Sequence, residues 1–422
     1  MRCVFFFAIV ASLVAQDTVH LTLAEAQRLA VENNPRISAA RLSAAASYEV
    51  PKEIRSNLLP TLTGLATGVG ADSASRLAAG GLNNPAVYSR LATGVVASQL
   101  LSDFGRTRGL IESSRLHAQA QDQVTEATRA DILLAASRAF FNVLRAQATL
   151  EVAKQTVDAR QLLADRVSAL AENKLRSTLD VSFANVNLAD AKLLFSQSQN
   201  DFKAAEAELG AVLGLPNQTT FDLRDEPSAE KPPTTVDPLV QQAVDNRPEL
   251  KVLRLEQSSV ERFAKAEHAL NYPVIGAIGA TGVVPAGEAA IASRYGAAGV
   301  NVTIPVFNGG LFKARQTEAE LRAQSIAKNL NDLSNRVIRD VRVAYLNEQT
   351  AYERVGLTDQ LLQQAKLSLD LAQSRYDLGL SSIVELSQAQ LNVTSAQIAN
   401  ATARYEYQAQ RVTVDYQTGT LR

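Results

Sequence analysis

Small and apolar positions alternate three and four residues apart over long stretches of the chain. Val181, Ala184, Leu188, Ala191, Phe195, Ser198 and Phe202 form one such stripe, and Leu386, Ala389, Val393, Ala396, Asn400, Ala403 and Tyr407 form another. A third runs through Leu362, Ala365, Leu369, Ala372 and Tyr376, while Gln390 lies on the flank of the second and reads as exposed. A 3.5-residue period keeps one stripe turned toward a partner helix, and alanines set against larger residues let the backbones approach closely. Residues 110–209 hold neither Gly nor Pro, and residues 311–422 hold no Pro and only Gly356, Gly379 and Gly419. So long a stretch without chain breakers predicts helix interrupted only by a tight hairpin turn. The pattern predicts helices over about 22–58, 104–172, 178–213, 237–271, 309–377 and 383–418. A helix of nearly 70 residues rises roughly 100 Å at about 1.5 Å per residue.

The stripes recur because the chain is duplicated. Residues 104–215 match 309–420 at an offset of 205: Ala139-Phe140-Phe141-Asn142 against Ala344-Tyr345-Leu346-Asn347, and Gly214 against Gly419. Upstream the offset is 213, aligning Asn34-Pro35 with Arg247-Pro248 and Pro60 with Pro273, so the first copy carries extra loop around 71–89. The domains follow: a first repeat over 17–214, a proline-rich linker over 215–238, and a second repeat over 239–422. Glycines concentrate in two windows, 61–109 and 274–310, each holding 8 of the 21. Those windows contain four strand-like segments of about ten residues, Thr61–Gly70, Leu91–Leu100, Val274–Val283 and Gly296–Ile304, giving hairpins over 61–100 and 274–304. In the last, Ala298, Val300, Val302 and Ile304 share one face. About ten residues is the length of a tilted membrane-spanning strand. Tyr88, Tyr272 and Tyr295 stand at strand ends, where interfacial tyrosines sit. Four strands cannot close a barrel, so insertion requires several chains to pool them. The competing reading is a small soluble sheet capping a helical stalk.

Composition narrows the function classes. Lys and Arg number 42 against 43 Asp and Glu, so no basic excess exists to neutralise nucleic-acid phosphates. Three histidines and one cysteine are too few for a metal or redox centre, and no nucleophile–base set or phosphate-binding glycine loop is present. No enzyme activity, cofactor or metal is expected. Arg2 followed by the apolar run Val4–Val14 and Ala15 reads as a signal peptide over 1–16. Ser177-x-x-Asp180 and Ser382-x-x-Glu385, at the shared offset, each read as a capping box opening the returning helix.

The order of these parts resembles the TolC family of trimeric outer-membrane efflux channels. The resemblance rests on the duplicated unit, the Asn-Pro and Leu-Pro/Tyr-Pro marks before each hairpin, Ser102-Asp103-Phe104-Gly105, Val306-Phe307-Asn308-Gly309-Gly310, and the stretch Arg375–Leu386. It implies a mainly α fold with a β-barrel contribution: three chains, a 12-stranded barrel in outer-membrane lipid, and a long coiled-coil α-barrel crossing the periplasm. The implied function is a passive outer-membrane conduit of a tripartite efflux or type I secretion system, partnered by a periplasmic adaptor and an inner-membrane pump. A soluble or surface coiled-coil structural protein is the alternative. The resemblance also implies a periplasmic gate at Asp180, Glu385, Gln388 and Tyr376, where threefold symmetry gathers the acids and the tyrosine helps tie the coils shut. The adaptor-docking tips are then Lys174, Leu175, Arg176 and Ser177, with Gly379, Leu380, Ser381 and Ser382. Gln388 and Ser381 depart from the acid and arginine that some members carry there. Lys174 stands opposite Gly379, implying a less sharply turned, more basic edge on the first tip.

Overall fold

A computed structural model of the chain describes residues 19–72, 88–215, 220–224, 231–287, 289 and 291–421. The signal peptide at 1–16 lies outside the described residues, as does most of the extra loop at 71–89 and part of the linker. The elements run β1 (Val19–Leu21), α1 (Leu23–Asn33), α2 (Pro35–Ser47), α3 (Glu49–Ser56), β2 (Thr61–Val69), β3 (Arg90–Ser102), α4 (Arg106–Glu172) and α5 (Thr178–Val212). They continue with β4 (Phe221–Leu223), α6 (Asp237–Asn246), α7 (Pro248–His268), β5 (Val274–Gly287), β6 (Arg294–Thr303), α8 (Leu311–Asp377) and α9 (Ile383–Thr418). Most of the chain is helical, and none of the described helices is long and apolar enough to cross a membrane.

The expected helices at 22–58 and 237–271 are not continuous. Each breaks at its X-Pro step, because proline drives the preceding residue out of helical space: Asn34 has φ −72°, ψ 121° and Arg247 has φ −58°, ψ 124°. Both corners seat against the end of a returning helix. Asn34 Nδ2 donates to the Val212 carbonyl (3.2 Å), and Arg247 Nη1 donates to Gln417 Oε1 (2.6 Å). Beside them, Gly214 (φ +69°) and Gly419 (φ +71°) close helices in left-handed turns. A Cβ on Gly214 would stand 2.9 Å from the Asn33 carbonyl oxygen, and one on Gly419 would stand 3.0 Å from the Arg247 nitrogen. Two reasons therefore hold glycine at this matched pair, the φ value and the close backbone.

The chain divides into two compact units. One comprises Met1–Ala39, Glu126–Arg247 and Asn335–Arg422; the other comprises Ala40–Thr125 and Pro248–Ser334. In the first, a core around Phe140, Phe141, Val143, Leu209 and Leu213 accepts Leu21 of β1 and Phe221 and Leu223 of β4. β1 and β4 pair in parallel, Val19 opposite Phe221 and Leu21 opposite Leu223, so a segment read as linker supplies a strand. All seven positions of the stripe from Leu386 to Tyr407 are buried, as are Ala365, Ala372 and Tyr376 of the third. Gln390, by contrast, is only partly exposed, because it accepts a hydrogen bond from Arg160 Nη1.

The second unit holds a four-stranded antiparallel sheet in the order β2-β3-β5-β6. The two hairpins join through β3 and β5, whose register slips at Leu91/Thr93 and again at Leu100/Ser102. Bulges of this kind raise local twist and curvature. The Tyr295 ring lies across Gly94 and Gly282 in neighbouring strands, filling the space two missing side chains leave. Every one of the ten residues of β6 is exposed, and among the described residues neither outer edge, β2 or β6, has a partner.

Candidate functional site

The two helical turns at 173–177 and 378–382 lie within the first unit and share one construction. In the first, Lys174 N donates to Ala171 O (2.9 Å) and Leu175 N to Leu170 O (2.8 Å). In the second, Gly379 N donates to Tyr376 O (3.0 Å) and Leu380 N to Arg375 O (2.8 Å). Both are the paired closing bonds of a Schellman turn, which needs a left-handed residue just past the helix. Gly379 supplies φ +72° and Lys174 supplies φ +60°. The expectation of a less sharply turned first tip is thus corrected: the hydrogen bonds dictate the turn, and Lys174 absorbs the conformational cost.

The serines begin the returning helices alike, but the acids diverge. Asp180 N donates to Ser177 Oγ and Ser177 N donates to Asp180 Oδ2, both at 3.2 Å, completing a reciprocal box. Ser382 Oγ accepts from Glu385 N at 3.3 Å, yet the Glu385 carboxylate turns to Arg375 Nε at 3.5 Å. The second box expected from sequence is therefore half made, because the last turn of α8 offers a cation there. Gln388 is exposed and donates to Asn392 Oδ1 (3.0 Å).

Tyr376 joins the two tips. Its ring is buried with Leu163, Val167, Ala184, Leu188, Ile383 and Leu386, drawing all four long helices together. The Arg176 guanidinium carbon sits 4.5 Å from the ring centroid, and Arg176 Nη2 donates to the Tyr376 carbonyl (3.4 Å). Among the described residues the Tyr376 hydroxyl has no hydrogen-bond partner, nor does the buried Ser381 Oγ. Burial pushes the Tyr376 phenol above its ordinary pKa; the Arg176 charge opposes this, and the Asp180 charge reinforces it. Arg166 pairs with Asp377 at 2.8 Å, half-exposed and so worth little in free energy. Around this cluster Leu175, Leu378 and Leu380 stand exposed, with Lys174, Ser177, Gly379 and Ser382 beside them.

A second polar layer lies deeper between the helices. Arg160 is buried and donates to the Gln390 side chain and to Ser387 O (3.3 Å), while Asn187 Nδ2 donates to Ser387 Oγ (3.0 Å) and Thr156 Oγ1 meets Thr394 Oγ1 (3.2 Å). Phe183, Asp190, Gln388 and Leu391 help line a groove of about 420 Å³ here. Sequence reasoning passed over Arg160, since one arginine in a charged helix carries no positional signal. Among the described residues no group of three or more His, Cys, Asp or Glu side chains could hold a metal ion.

The sequence profile of a family described as "Outer membrane efflux protein" matches residues 27–215 and 239–420, once in each half. The chain is 24% identical over 402 residues to outer membrane protein TolC of Salmonella enteritidis, covering 92% of this chain and 80% of that protein. It is 22% identical over 322 residues to cation efflux system protein CusC of Escherichia coli (strain K12), covering 73% of this chain and 68% of that one. Among solved structures, a CusC crystal structure superposes with a TM-score of 0.82 over 94% of this chain and 92% of that chain, at 18% identity.

Proposed function

Because the chain belongs to the outer membrane efflux protein family, we propose that it works as a trimeric outer-membrane conduit reaching into the periplasm, fed by an adaptor and an inner-membrane pump. One observation carries the assembly: a four-stranded antiparallel sheet whose two edges lack partners among the described residues. An even strand number makes the edges run in opposite directions, so β2 of the next copy can extend β6 antiparallel. Repeated head to tail, that contact closes into a ring. Three chains supply twelve strands, enough to close a barrel in lipid where open edges are not tolerated. A soluble structural role would instead leave ten exposed residues of β6 bare. The repeats 17–214 and 239–422 then contribute equal shares to strands and helices.

The helical tips form the periplasmic mouth. Asp180 and Glu385, with Gln388 beside them, ring it with carboxylates, and Tyr376 under Arg176 holds the neighbouring coils together as a latch. The edge formed by Lys174, Leu175, Arg176 and Ser177, with Gly379, Leu380, Ser381 and Ser382, receives the adaptor. Its leucines supply apolar area, and its basic residues supply charge for acidic groups on the adaptor. The conduit is passive, and the pump provides the energy.

Native mass measurement in detergent combined with planar-bilayer recording tests the reading. A trimer that conducts is expected. A stable monomer, or a trimer that never conducts, would overturn it.

A further inference from the structure

At one end of the four-stranded sheet, where β3 leads to α4 and β6 to α8, exposed apolar side chains meet unpaired cations. Val306 and Phe307 follow β6 and are 92% and 90% exposed, while Phe104 follows β3 and is 55% exposed. These positions share an end because Val274, the first residue of β5, pairs with Thr303, while its neighbour Ile275 pairs with Ser102.

Phe104 holds φ +53°, a left-handed conformation that its repeat counterpart reaches as Gly309 at φ +62°. An aromatic side chain is thus kept where glycine would relax the backbone, and its ring is braced against Tyr272 at 5.7 Å. A few residues on, Arg108 and its repeat counterpart Lys313, with Arg315, are exposed, and none forms an ion pair among the described residues. Arg106, by contrast, is paired through Nη2 with Oε1 of the buried Glu267 at 3.0 Å. Neither α4 nor α8 has an acid in its first turn, and the carboxylate just ahead of α4, Asp103, is taken up by Gly105 N (3.1 Å) and Thr107 N (2.7 Å) rather than by these cations. Cations there oppose the helix macrodipole, so helix stability does not account for them.

We infer that this rim is a phospholipid-binding surface: Phe104, Val306 and Phe307 enter the acyl boundary of the periplasmic leaflet, and Arg108, Lys313 and Arg315 bind the phosphates of anionic headgroups. The inference rests on the membrane reading above. Both requirements of an interfacial anchor meet here, an amphipathic or aromatic wedge and basic residues at headgroup level. The surface sets how deeply the sheet sits and enriches anionic lipid around the junction with the helices.

The chain contains no tryptophan, so one introduced residue is an unambiguous reporter. Phe307→Trp and, in the middle of β6, Val300→Trp would each be reconstituted into vesicles of phosphatidylcholine with phosphatidylglycerol, one lipid or the other brominated. The expected result is a blue-shifted Phe307→Trp emission, quenched more strongly by brominated phosphatidylglycerol than by brominated phosphatidylcholine. Adding Arg108→Gln, Lys313→Gln and Arg315→Gln should abolish that preference while leaving the blue shift. Water-like, unquenched Phe307→Trp emission beside quenched Val300→Trp would overturn the rim and leave the barrel standing. Equal quenching by both lipids would overturn the headgroup assignment. Loss of quenching at both positions would refute the membrane reading itself.

Discussion

Replacing Glu348 with glutamine should stabilise the protein, and the gain should grow with pH. Glu348 lies in α8 and is only 3% exposed, and its Oε2 meets no donor among the described residues. At the matching position of the first repeat stands Val143, fully buried. Burial raises the Glu348 pKa above its ordinary 4.5; the Asp415 carboxylate raises it further, and Arg411 pulls it back. Asp415 is itself raised by burial, against the same arginine, and the phenol of nearby Tyr407 is pushed up to about 12. Two acids therefore face one arginine, with no phenolate to titrate in the neutral range. A raised carboxyl binds its proton more tightly in the folded state. Its contribution to stability is whole below 4.5 and is lost as pH rises through the folded value. An unsatisfied buried acceptor costs about 1–3 kcal/mol and more when charged, so removing the charge while the amide keeps a buried acceptor gains part of that range per chain. Thermal unfolding of the wild type, Glu348→Gln and Glu348→Val would be compared from pH 4 to pH 8. A Tm rise on the order of a few degrees is expected near neutrality, shrinking toward zero at the acid end. Glu348→Val, which copies the first repeat, should follow the same trend. A loss of stability that deepens as pH rises would refute the reasoning, because it would mean that the carboxylate is held by a favourable bond.

Lys174→Gly should raise Tm slightly, since a left-handed non-glycine residue costs about 1–2 kcal/mol and the entropy of the unfolded glycine returns roughly 0.5–1 kcal/mol of it; a clear fall would show that the lysine side chain holds the tip. Ala389→Trp should lower Tm or prevent assembly, overpacking a seam at a cost of about 1–3 kcal/mol, whereas Ser395→Trp, on an exposed face of the same helix, should be mild; equal effects would count against the seam. Asp180→Asn with Glu385→Gln should reduce cation selectivity in planar bilayers with little change in Tm, while Ser177→Ala with Ser382→Ala should cost about 0.5–2 kcal/mol each and leave selectivity alone. Unchanged selectivity in the amide pair would remove the carboxylate ring from the mouth.

Whatever is periodic or local could be read from the residues alone. The duplication at offset 205, the alternating three-and-four spacing and the absence of Gly and Pro placed the four long helices to within about two residues, because helix geometry converts sequence spacing directly into a buried face. The capping serines and the glycine pair at 214 and 419 were equally legible, since caps and left-handed turns act within a few residues. The pairing of β1 with β4 was not, because three residues bear no period and their partner lies some two hundred positions away. Nor was the junction of the hairpins through β3 and β5, where strand neighbours are chosen by packing rather than by sequence order. At the tips, residue types alone could not distinguish Asp180, which completes its box, from Glu385, which turns to Arg375. Lys174 shows why tertiary structure decides such cases: its own preference is against a left-handed backbone, and the closing bonds of the helical hairpin outweigh that preference.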